Sequence, residues 1–383
     1  MTARRLLPLG LAALAAACTV RELNVGVAPG AGGSSVKEVD AGDGPVPPTP
    51  PPAVDILFVI DDSSFARSLQ RKLLANFPLL MTRLVRAAGI TSFHIGVIST
   101  DMGAGDGSLA GCDSNGGKNG ILQYTARGSC MATGLDPGAT FISDVDGVKN
   151  YTGSLEDVFG CIAALGESGC GFEQPFASIM RALGVDGSPP PAENQGFLRP
   201  EARLVIVIVT DEDDCSAPPG SPLFDTATNR TLDSPLGPPG SFRCNEFGHL
   251  CNGARPPRLP PSGNASDVVT LEGCASAEGQ GMLIPVDTFA TRLGSLKRDP
   301  LNHILIAAIT GPPTPYSVRW VDRPGDNLGP RPQITASCTA ADASSAAPAV
   351  RINQLGVNLF GATFTIPACA DDYAPTLDAL VVP

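Results

Sequence analysis

The stretches VDILFVIDDSS (residues 54–64) and LVIVIVTDEDD (residues 204–214) decide the fold. Each is a short apolar run, rich in β-branched residues, that ends abruptly in carboxylates. Runs of this kind are typical of strands that are buried on both faces of a parallel sheet. Residues 93–99 and 304–309 repeat the apolar pattern, so the sequence predicts four buried strands.

Helical patterns lie between and after these strands. Phe or Leu recurs every four residues after Ser63 and Ser64, either of which can cap a helix, and Pro78 predicts a kink or the start of a second helix. Ser154 and Asp157 form a capping box for another helix. The remaining predicted elements are helices over 176–183, 286–296 and 351–360, a strand over 362–366 and a last helix from Asp371. Strands that alternate with helices predict an α/β fold with a doubly wound, mostly parallel sheet.

Three long stretches interrupt this alternation. They are rich in Gly, Pro or Cys and span about 101–150, 215–284 and 311–348. We interpret them as disulfide-braced insertions in a single domain over residues 54–383. Residues 19–53 end in a run of prolines and predict a disordered Gly/Pro-rich tether.

Residues 1–18 predict an export signal. Two arginines precede a run of twelve mostly apolar residues, which is shorter than the roughly 20 residues that span a bilayer. The run ends in LAAAC at Cys18, which resembles a bacterial lipobox, although Ala15 stands where that motif most often has Leu. We predict that Cys18 is lipidated; an ordinary signal peptide with an incidental Cys is the alternative. Thr19, instead of Asp, favours the outer membrane or cell surface.

Composition narrows the classes of function. The formal net charge of −12 repels a nucleic-acid backbone, and one Trp and three His leave little for base stacking or a His-rich zinc site. With 43 Gly and 37 Pro, we expect no long uninterrupted helices. We therefore expect no nucleic-acid partner, and contact with a membrane only through the lipid anchor.

Ten cysteines follow Cys18, an even number in a chain that is predicted to be exported, so disulfides are expected. They are Cys112, Cys130, Cys161, Cys170, Cys215, Cys244, Cys251, Cys274, Cys338 and Cys369. No pair has the C-x-x-C spacing of a zinc knuckle. Local closure predicts the pairs Cys112–Cys130, Cys161–Cys170 and Cys338–Cys369. The other four would pair among themselves, in an order that the sequence leaves open.

The carboxylates that follow two of the strands point to a binding site. Asp61 and Asp62 follow the strand over 54–60, and Asp211–Asp214 follow the strand over 204–209. In a doubly wound sheet the carboxyl ends of the strands border the ligand crevice. If the two strands are neighbours, these like charges repel, and a hard cation is the simplest way to offset the repulsion.

These residues resemble the von Willebrand factor type A domain, in the disulfide-rich form found on bacterial surface lipoproteins. Its metal-ion-dependent adhesion site uses D-x-S-x-S after strand one, a Thr from a later loop and an Asp from a T-D turn. Asp61 and Ser63 match the first two positions, and Thr210-Asp211 matches the turn. Phe65 stands in place of the second Ser. The resemblance spans most of the chain after residue 54 and implies a metal-dependent adhesion module.

Two departures from that motif change the chemistry expected at the ion. The nearest counterpart of the Thr-bearing loop is the stretch 171–175, which puts Glu173 near the ion, and Glu212 replaces the Gly common after the turn. Water, or the carboxylates of Asp62, Glu173 or Asp213, could replace the missing hydroxyl. We predict Mg²⁺ or Ca²⁺ at this site, and the additional carboxylates would favour Ca²⁺.

The same residues allow other interpretations. Asp61, Asp62 and Ser63 can simply cap the first helix, and residues 211–214 can form a solvated turn. The D-x-D spacing in that run also occurs in glycosyltransferases, but an exported protein lacks their cytoplasmic nucleotide-sugar donor. The sequence contains no G-x-S-x-G, H-E-x-x-H or Walker motif, and His249 has no evident partner. We expect no enzymatic activity; a metal-dependent transferase or hydrolase is the weaker alternative.

The sequence thus predicts a lipid-anchored binding module of the cell envelope. Its metal face would engage a protein or glycan partner at the cell surface. The alternative is a structural envelope lipoprotein whose metal site is non-functional.

Overall fold

The structure, a computed structural model, describes residues 53–86, 89–105, 111–112, 116–225, 231–322, 330–360 and 364–377. These residues belong to one compact unit. The predicted signal peptide, the lipidation site Cys18 and the predicted tether up to residue 52 lie outside the described residues.

Fourteen strands occur in the described part of the chain. They are β1 (Ala53–Ile60), β2 (Ser92–Ser99), β3 (Ile142–Val145), β4 (Val148–Lys149), β5 (Arg203–Val209), β6 (His249–Cys251), β7 (Val268–Leu271), β8 (Cys274–Ser276), β9 (Ile304–Thr310), β10 (Tyr316–Val321), β11 (Arg331–Ile334), β12 (Cys338–Thr339), β13 (Ser345–Ala346) and β14 (Phe364–Pro367). The four strands predicted from apolar runs are β1, β2, β5 and β9.

Eight α-helices accompany the strands in the same described residues. They are α1 (Arg67–Met81), α2 (Leu155–Ala163), α3 (Pro175–Leu183), α4 (Phe242–Gly248), α5 (Val286–Gly294), α6 (Pro300–His303), α7 (Val350–Phe360) and α8 (Ala374–Leu377). Within the described ranges, none of these helices is both long and apolar enough to cross a bilayer.

Seven strands form one sheet in the order β14-β9-β5-β1-β2-β3-β4. The strands from β14 to β2 run parallel, whereas β3 and β4 add an antiparallel edge. Without β4 this is the doubly wound order 3-2-1-4-5-6, in which the strand order reverses between the neighbours β1 and β5. The predicted α/β class and mostly parallel sheet are confirmed. The carboxyl ends of β1 and β5 therefore flank the point where such sheets bind ligands.

Helices cover both faces of the sheet. On one face Phe58 of β1 packs against Phe77 of α1 and Phe159 of α2, and the rings of Phe77 and Phe159 stack with their centroids 3.8 Å apart. On the other face Phe176 of α3 stacks on Phe289 of α5 at 4.5 Å. Two separate apolar cores thus sandwich β1 and β5 and hold their ends in place.

The first helix starts later than predicted. α1 begins at Arg67, and no side chain caps its N-terminus, so the predicted cap by Ser63 or Ser64 is wrong. Asp61 Oδ1 accepts the N–H of Ser63 at 2.8 Å. Phe65 then adopts a φ of 81°. The chain leaves β1 in a turn built around Asp61, and that turn delays the helix.

Two other helix predictions concern Ser154, at the start of α2, and Pro78, in α1. Ser154 caps α2 as predicted, since its Oγ accepts the N–H of Asp157 at 3.0 Å. The carboxylate of Asp157 accepts from the hydroxyl of Ser154 at 2.6 Å and not from its N–H, so the described hydrogen bonds show only the Ser154 half of the predicted capping box. Pro78 lies inside α1, which continues to Met81 and then into a π-helical turn at Thr82–Arg86. Pro78 therefore does not start a second helix as one of the two predictions had it.

The three predicted insertions are used differently. The first ends in β3 and β4, which extend the main sheet. β7 of the second insertion pairs with β10 of the third, and β11 completes a three-stranded antiparallel sheet. The second and third insertions therefore form one structure, and its contacts with residues 211–213 place it at the carboxyl edge of the main sheet.

Five disulfide bonds join the ten cysteines. They are Cys112–Cys170, Cys130–Cys161, Cys215–Cys244, Cys251–Cys274 and Cys338–Cys369. The last pair is as predicted, and the four cysteines of the second insertion pair among themselves. The predicted pairs Cys112–Cys130 and Cys161–Cys170 are wrong.

The structure gives a physical reason for the exchanged partners. The N–H of Arg127 donates to the carbonyl of Cys161 at 3.0 Å, which brings the loop of Cys130 against the end of α2. Gly111 packs so closely against the backbone of Gly169 that a Cβ on Gly111 would clash. The cysteines that follow these two glycines form the disulfide bond Cys112–Cys170. Because the cost of closing a loop grows slowly with its length, tertiary contacts can outweigh spacing along the chain.

Candidate functional site at the carboxyl edge of the sheet

The ends of β1 and β5 meet around Asp61. Ile60 pairs with Val209 in parallel register, and the N–H of Asp61 donates to the carbonyl of Val209 at 2.8 Å. Thr210 Oγ1 donates to Asp61 Oδ2 at 2.8 Å, and the N–H of Ser63 donates to Oδ1. The strand ends that the sequence predicts to lie side by side are therefore neighbours, and both oxygens of Asp61 are hydrogen-bonded.

Glu173 reaches the same edge from the loop before α3. Its carbonyl accepts the N–H of Cys215 at 2.8 Å, which ties this loop to the chain after the acidic run. The side chain is 2% exposed and shares a hydrogen bond with Glu212. Burial, and then the charges of Glu212, Asp61 and Asp211, raise the pKa of Glu173 well above its usual value.

Asp211 and Asp61 form a second carboxyl pair. A side-chain hydrogen bond joins them, and burial together with the charges of Asp61 and Glu212 raises the pKa of Asp211 well above its usual value. Burial also raises the pKa of Asp61 and of Glu212. We name these four acids, Asp61, Glu173, Asp211 and Glu212, the carboxyl cluster.

No basic side chain balances the carboxyl cluster in the described part of the chain. None of the ion pairs between described residues includes one of its four members. Its members instead hydrogen-bond to each other and to Ser or Thr hydroxyls. Like charges held this closely bind protons or a cation more readily than isolated carboxylates.

Asp62 follows Asp61 in sequence but has its own partners. Its Oδ1 accepts from Ser99 Oγ at 2.6 Å, and its Oδ2 forms a close ion pair with Lys118. Lys118 Nζ is also 3.6 Å from Asp101 Oδ2. Asp62 is thus neutralised by a lysine from the first insertion and lies beside the carboxyl cluster without joining it.

Asp213, another predicted ligand, caps a helix. Its two oxygens accept the N–H groups of Arg351 and Ile352 at 2.7 and 3.1 Å, at the start of α7. His249 Nε2 lies 2.8 Å from Oδ2. Burial opposes ionisation of Asp213, but the hydrogen bonds and charges of His249 and Arg351 outweigh it and lower the pKa. The carboxylate of Asp213 is therefore fully engaged.

Asp214 has a similar structural role. Its Oδ1 accepts the N–H of Phe176, in the first turn of α3, at 3.0 Å, and its Oδ2 lies 3.0 Å from the guanidinium of Arg351. Both partners of this ion pair are almost fully buried. Asp213 and Asp214 together fix the starts of two helices against the end of β5.

One buried polar atom beside the carboxyl cluster has no partner. Thr100 Oγ1 makes no hydrogen bond to any described residue, although Thr100 is 1% exposed. The N–H of Thr100 donates to the carbonyl of Ile60, and its carbonyl accepts the N–H of Gln174. Thr100 therefore lies between the end of β1 and the loop of Glu173, where a bound polar group could satisfy its hydroxyl.

The donor set fits a hard divalent cation in its chemistry. Carboxylate oxygens, a hydroxyl and backbone oxygens are the ligands that Mg²⁺ and Ca²⁺ prefer. No three His, Cys, Asp or Glu side chains of the described residues are already arranged as ligands of one ion. The side chains of Asp61, Asp211, Glu173 and Glu212 interact with one another and would be the residues to hold such an ion.

Phe65 marks where this edge differs from an open hydroxyl-lined site. Its side chain is 84% exposed, at the position of the second Ser in the motif, and it lines a small recess together with Asp211. A non-glycine residue at positive φ costs on the order of 1–3 kcal/mol. The turn after β1 thus presents an aromatic ring to solvent at the border of the carboxyl cluster.

Comparison with known proteins does not identify the chain. The sequence matches no protein-family model and no curated protein.

Three contacts at this edge lie beyond sequence reasoning. Lys118 pairs with Asp62 across 56 residues, His249 with Asp213 across 36, and Arg351 with Asp214 across 137. None of these bases belongs to a recognisable motif. The only signal in the sequence is that four consecutive acids after a buried strand require partners.

Proposed function

We propose that the protein is a lipid-anchored binding module of the cell envelope, similar to von Willebrand factor type A domains, that recognises a protein or glycan at the cell surface. The carboxyl cluster would hold a Mg²⁺ or Ca²⁺ ion at the binding edge. The observation that carries this proposal is that Asp61, Glu173, Asp211 and Glu212 converge at the switch point of the sheet without a basic partner among the described residues.

Three further points support the proposal. The doubly wound order puts the reversal between β1 and β5, and ligands of such sheets bind there. Asp61 and Thr210-Asp211 occupy the D-x-S and T-D positions of the adhesion motif. The lipobox-like sequence ending at Cys18 would supply the anchor, since a lipidated N-terminal Cys carries more than one acyl chain and so gives stable attachment.

The excess of carboxylates makes Ca²⁺ the preferred ion in this proposal. Ca²⁺ takes six to eight oxygens in flexible geometry, whereas Mg²⁺ demands near-octahedral coordination and keeps several waters. With Phe65 in place of a hydroxyl ligand, the site offers acids instead of neutral oxygens.

Calorimetry on the mature chain tests the ion. We expect wild type to bind Ca²⁺ more tightly than Mg²⁺, and Asp61→Asn/Asp211→Asn to give no heat with either. Glu201→Gln is the matched control, because it removes a carboxylate from the exposed turn before β5, at the opposite end of that strand. Absence of heat with wild type would leave the second candidate, a structural envelope lipoprotein whose acids are neutralised by shared protons.

The anchor and the partner need separate experiments. Labelled palmitate should enter the wild-type chain and not the Cys18→Ala variant; incorporation that survives this change would remove the anchor from the proposal. Pull-down from envelope extracts should recover a partner with Ca²⁺ and lose it with chelator. Equal recovery in both conditions would favour the structural alternative.

A further inference from the structure

A cavity of about 350 Å³ opens beside the carboxyl cluster. It lies between the end of β5 and the joined second and third insertions. Glu212, Ser241 and Asn245 line it with polar atoms, and Phe242 and Ile334 are among its apolar walls. Its volume falls within the roughly 300–1,000 Å³ of small-ligand sites.

Glu212 is the acid that an occupant of this cavity would meet. Its Oε1 accepts from Ser241 Oγ at 3.0 Å, and its carboxyl group also hydrogen-bonds to Glu173. No ion pair between described residues includes Glu212. Glu212 interacts electrostatically with Asp61, Asp211 and Glu173, so a cation that enters beside it would offset the repulsion among these acids.

The other charged residues of the wall already have partners. Asp213 is hydrogen-bonded to His249, and Asp214 is paired with Arg351. Arg331 also lines the cavity, and it makes an interaction of its own. An entering group would therefore interact with Glu212 and leave these contacts in place.

We propose that this cavity binds an organic cation, a primary ammonium or a guanidinium on an aliphatic stem, with its charge on Glu212 and its stem against Phe242 and Ile334. The stem would bury apolar surface, and the ring of Phe242 can attract a cation within about 6 Å of its centroid. The source of the group is a Lys or Arg side chain of a partner protein or a free polyamine. This inference rests on the proposed binding role of the edge and names the chemistry of its partner.

Calorimetry in EDTA tests the cavity without any divalent ion. The probes are N-acetyl-lysine amide, N-acetyl-arginine amide and putrescine, with N-acetyl-norleucine amide as the neutral match for lysine. We expect the lysine or the arginine derivative to bind about tenfold or more tightly than the norleucine derivative, since hydrogen bonds to charged groups are the strong ones. Equal binding of the charged and neutral amides would overturn the proposal.

Variants locate the site. Glu212→Gln keeps the shape of the side chain and removes its charge, and it should weaken the charged probes about tenfold or more. Phe242→Leu keeps an apolar wall, removes the ring and should weaken them by a smaller factor. Glu201→Gln is the charge-matched control and should bind like wild type. If Glu212→Gln and Glu201→Gln behave alike while both retain wild-type circular dichroism, the cavity is not the cation site.

The outcomes separate this inference from the proposed metal site. Amide binding in EDTA together with no calcium heat would support the cavity and reject the divalent ion. Heat on addition of Ca²⁺ without binding of the amides would support the divalent ion and reject the cavity as a site for organic cations. Tighter binding of a lysine or arginine amide than of putrescine would assign the cavity to a protein side chain, and the opposite order would assign it to a free polyamine.

Discussion

Four consecutive acids after β5 divide into two pairs with opposite roles. Asp213 and Asp214 accept backbone N–H groups at the starts of α7 and α3 and are matched by His249 and Arg351. Asp211 and Glu212 have no basic partner among the described residues and interact instead with Asp61 and Glu173. Residues with the same chemistry thus hold the fold together in one pair and leave charge unbalanced in the next.

This difference shows how burial and pairing distinguish acids that stabilise the fold from acids that are candidates for binding. Burial raises the pKa of a carboxyl group unless hydrogen bonds and positive charge compensate. At Asp213 the compensation exceeds the cost of burial and the pKa is lowered. At Asp214 burial still raises the pKa although Arg351 opposes it, and at Asp211 neighbouring charges add to the cost and raise the pKa further above its usual value. Unbalanced acids at a ligand crevice are candidates for binding.

Removal of Arg351 should have the largest effect on this comparison. Arg351→Met leaves Asp214 buried and without its guanidinium, and breaking a buried ion pair of this kind costs about 3–5 kcal/mol. Urea unfolding followed by circular dichroism measures the change. Arg319→Met is the control, because Arg319 is exposed and, among the described residues, its side chain hydrogen-bonds to Gln333. A loss below about 1 kcal/mol would mean that the pair is solvated and that Asp214 needs no partner.

Asp213→Asn should have the next largest effect. The amide can still accept one N–H at the start of α7, but the charge-assisted bonds to two backbone N–H groups and to His249 are weakened. We expect a loss of about 1–3 kcal/mol in the free energy of unfolding. Asp233→Asn, in an exposed loop, should change stability by less than about 0.5 kcal/mol. Similar losses in both variants would contradict a capping role for Asp213.

Much of the fold follows from local signals in the sequence. Apolar, β-branched runs locate β1, β2, β5 and β9, because strands buried on both faces contain little else. The apolar pattern does not reveal the edge strands β3 and β4, because these partly exposed strands are short and contain polar residues. The partners of Cys112 and Cys130 could not be predicted from the sequence either, because they depend on how the first insertion folds back on α2 and on Gly169.

The candidate site was partly accessible from the sequence for a related reason. The carboxyl ends of parallel neighbours must meet, so Asp61 and Asp211 could be brought together from strand pattern alone. Which acids remain unbalanced depends on bases that arrive from remote loops. Lys118 forms an ion pair with Asp62, and His249 hydrogen-bonds to Asp213, so these two of the six predicted ligands already have other partners. Glu212, which was not among the six, belongs to the carboxyl cluster.

Asp211→Asn should move stability in the opposite direction from Asp213→Asn. Removing one member of a cluster of like charges relieves repulsion, and one pKa unit of relief corresponds to about 1.4 kcal/mol. In chelator at pH 7 we therefore expect the variant to be more stable than wild type by about 1 kcal/mol. Added Ca²⁺ should stabilise wild type and leave the variant unchanged. A variant that is less stable than wild type in chelator would show that Asp211 supports the fold as Asp213 does.

The pH dependence of these two variants is the smallest effect and the most discriminating. The pKa of Asp211 is raised in the folded state, so the folded chain keeps a proton that the unfolded chain loses, and wild-type stability falls as pH rises from the usual value of about 4. The gain in stability from Asp211→Asn should then shrink as the pH falls from 7 to 5.

The pKa of Asp213 is lowered in the folded state, so its contribution to stability is complete above about pH 4 and is lost only below that pH. The Asp213 carboxylate stays ionised over the same interval, so the cost of Asp213→Asn should not fall between pH 7 and pH 5. If both differences shrink in parallel from pH 7 to pH 5 in urea titrations, Asp211 and Asp213 are not electrostatically distinct, and their different roles would rest on hydrogen bonding alone.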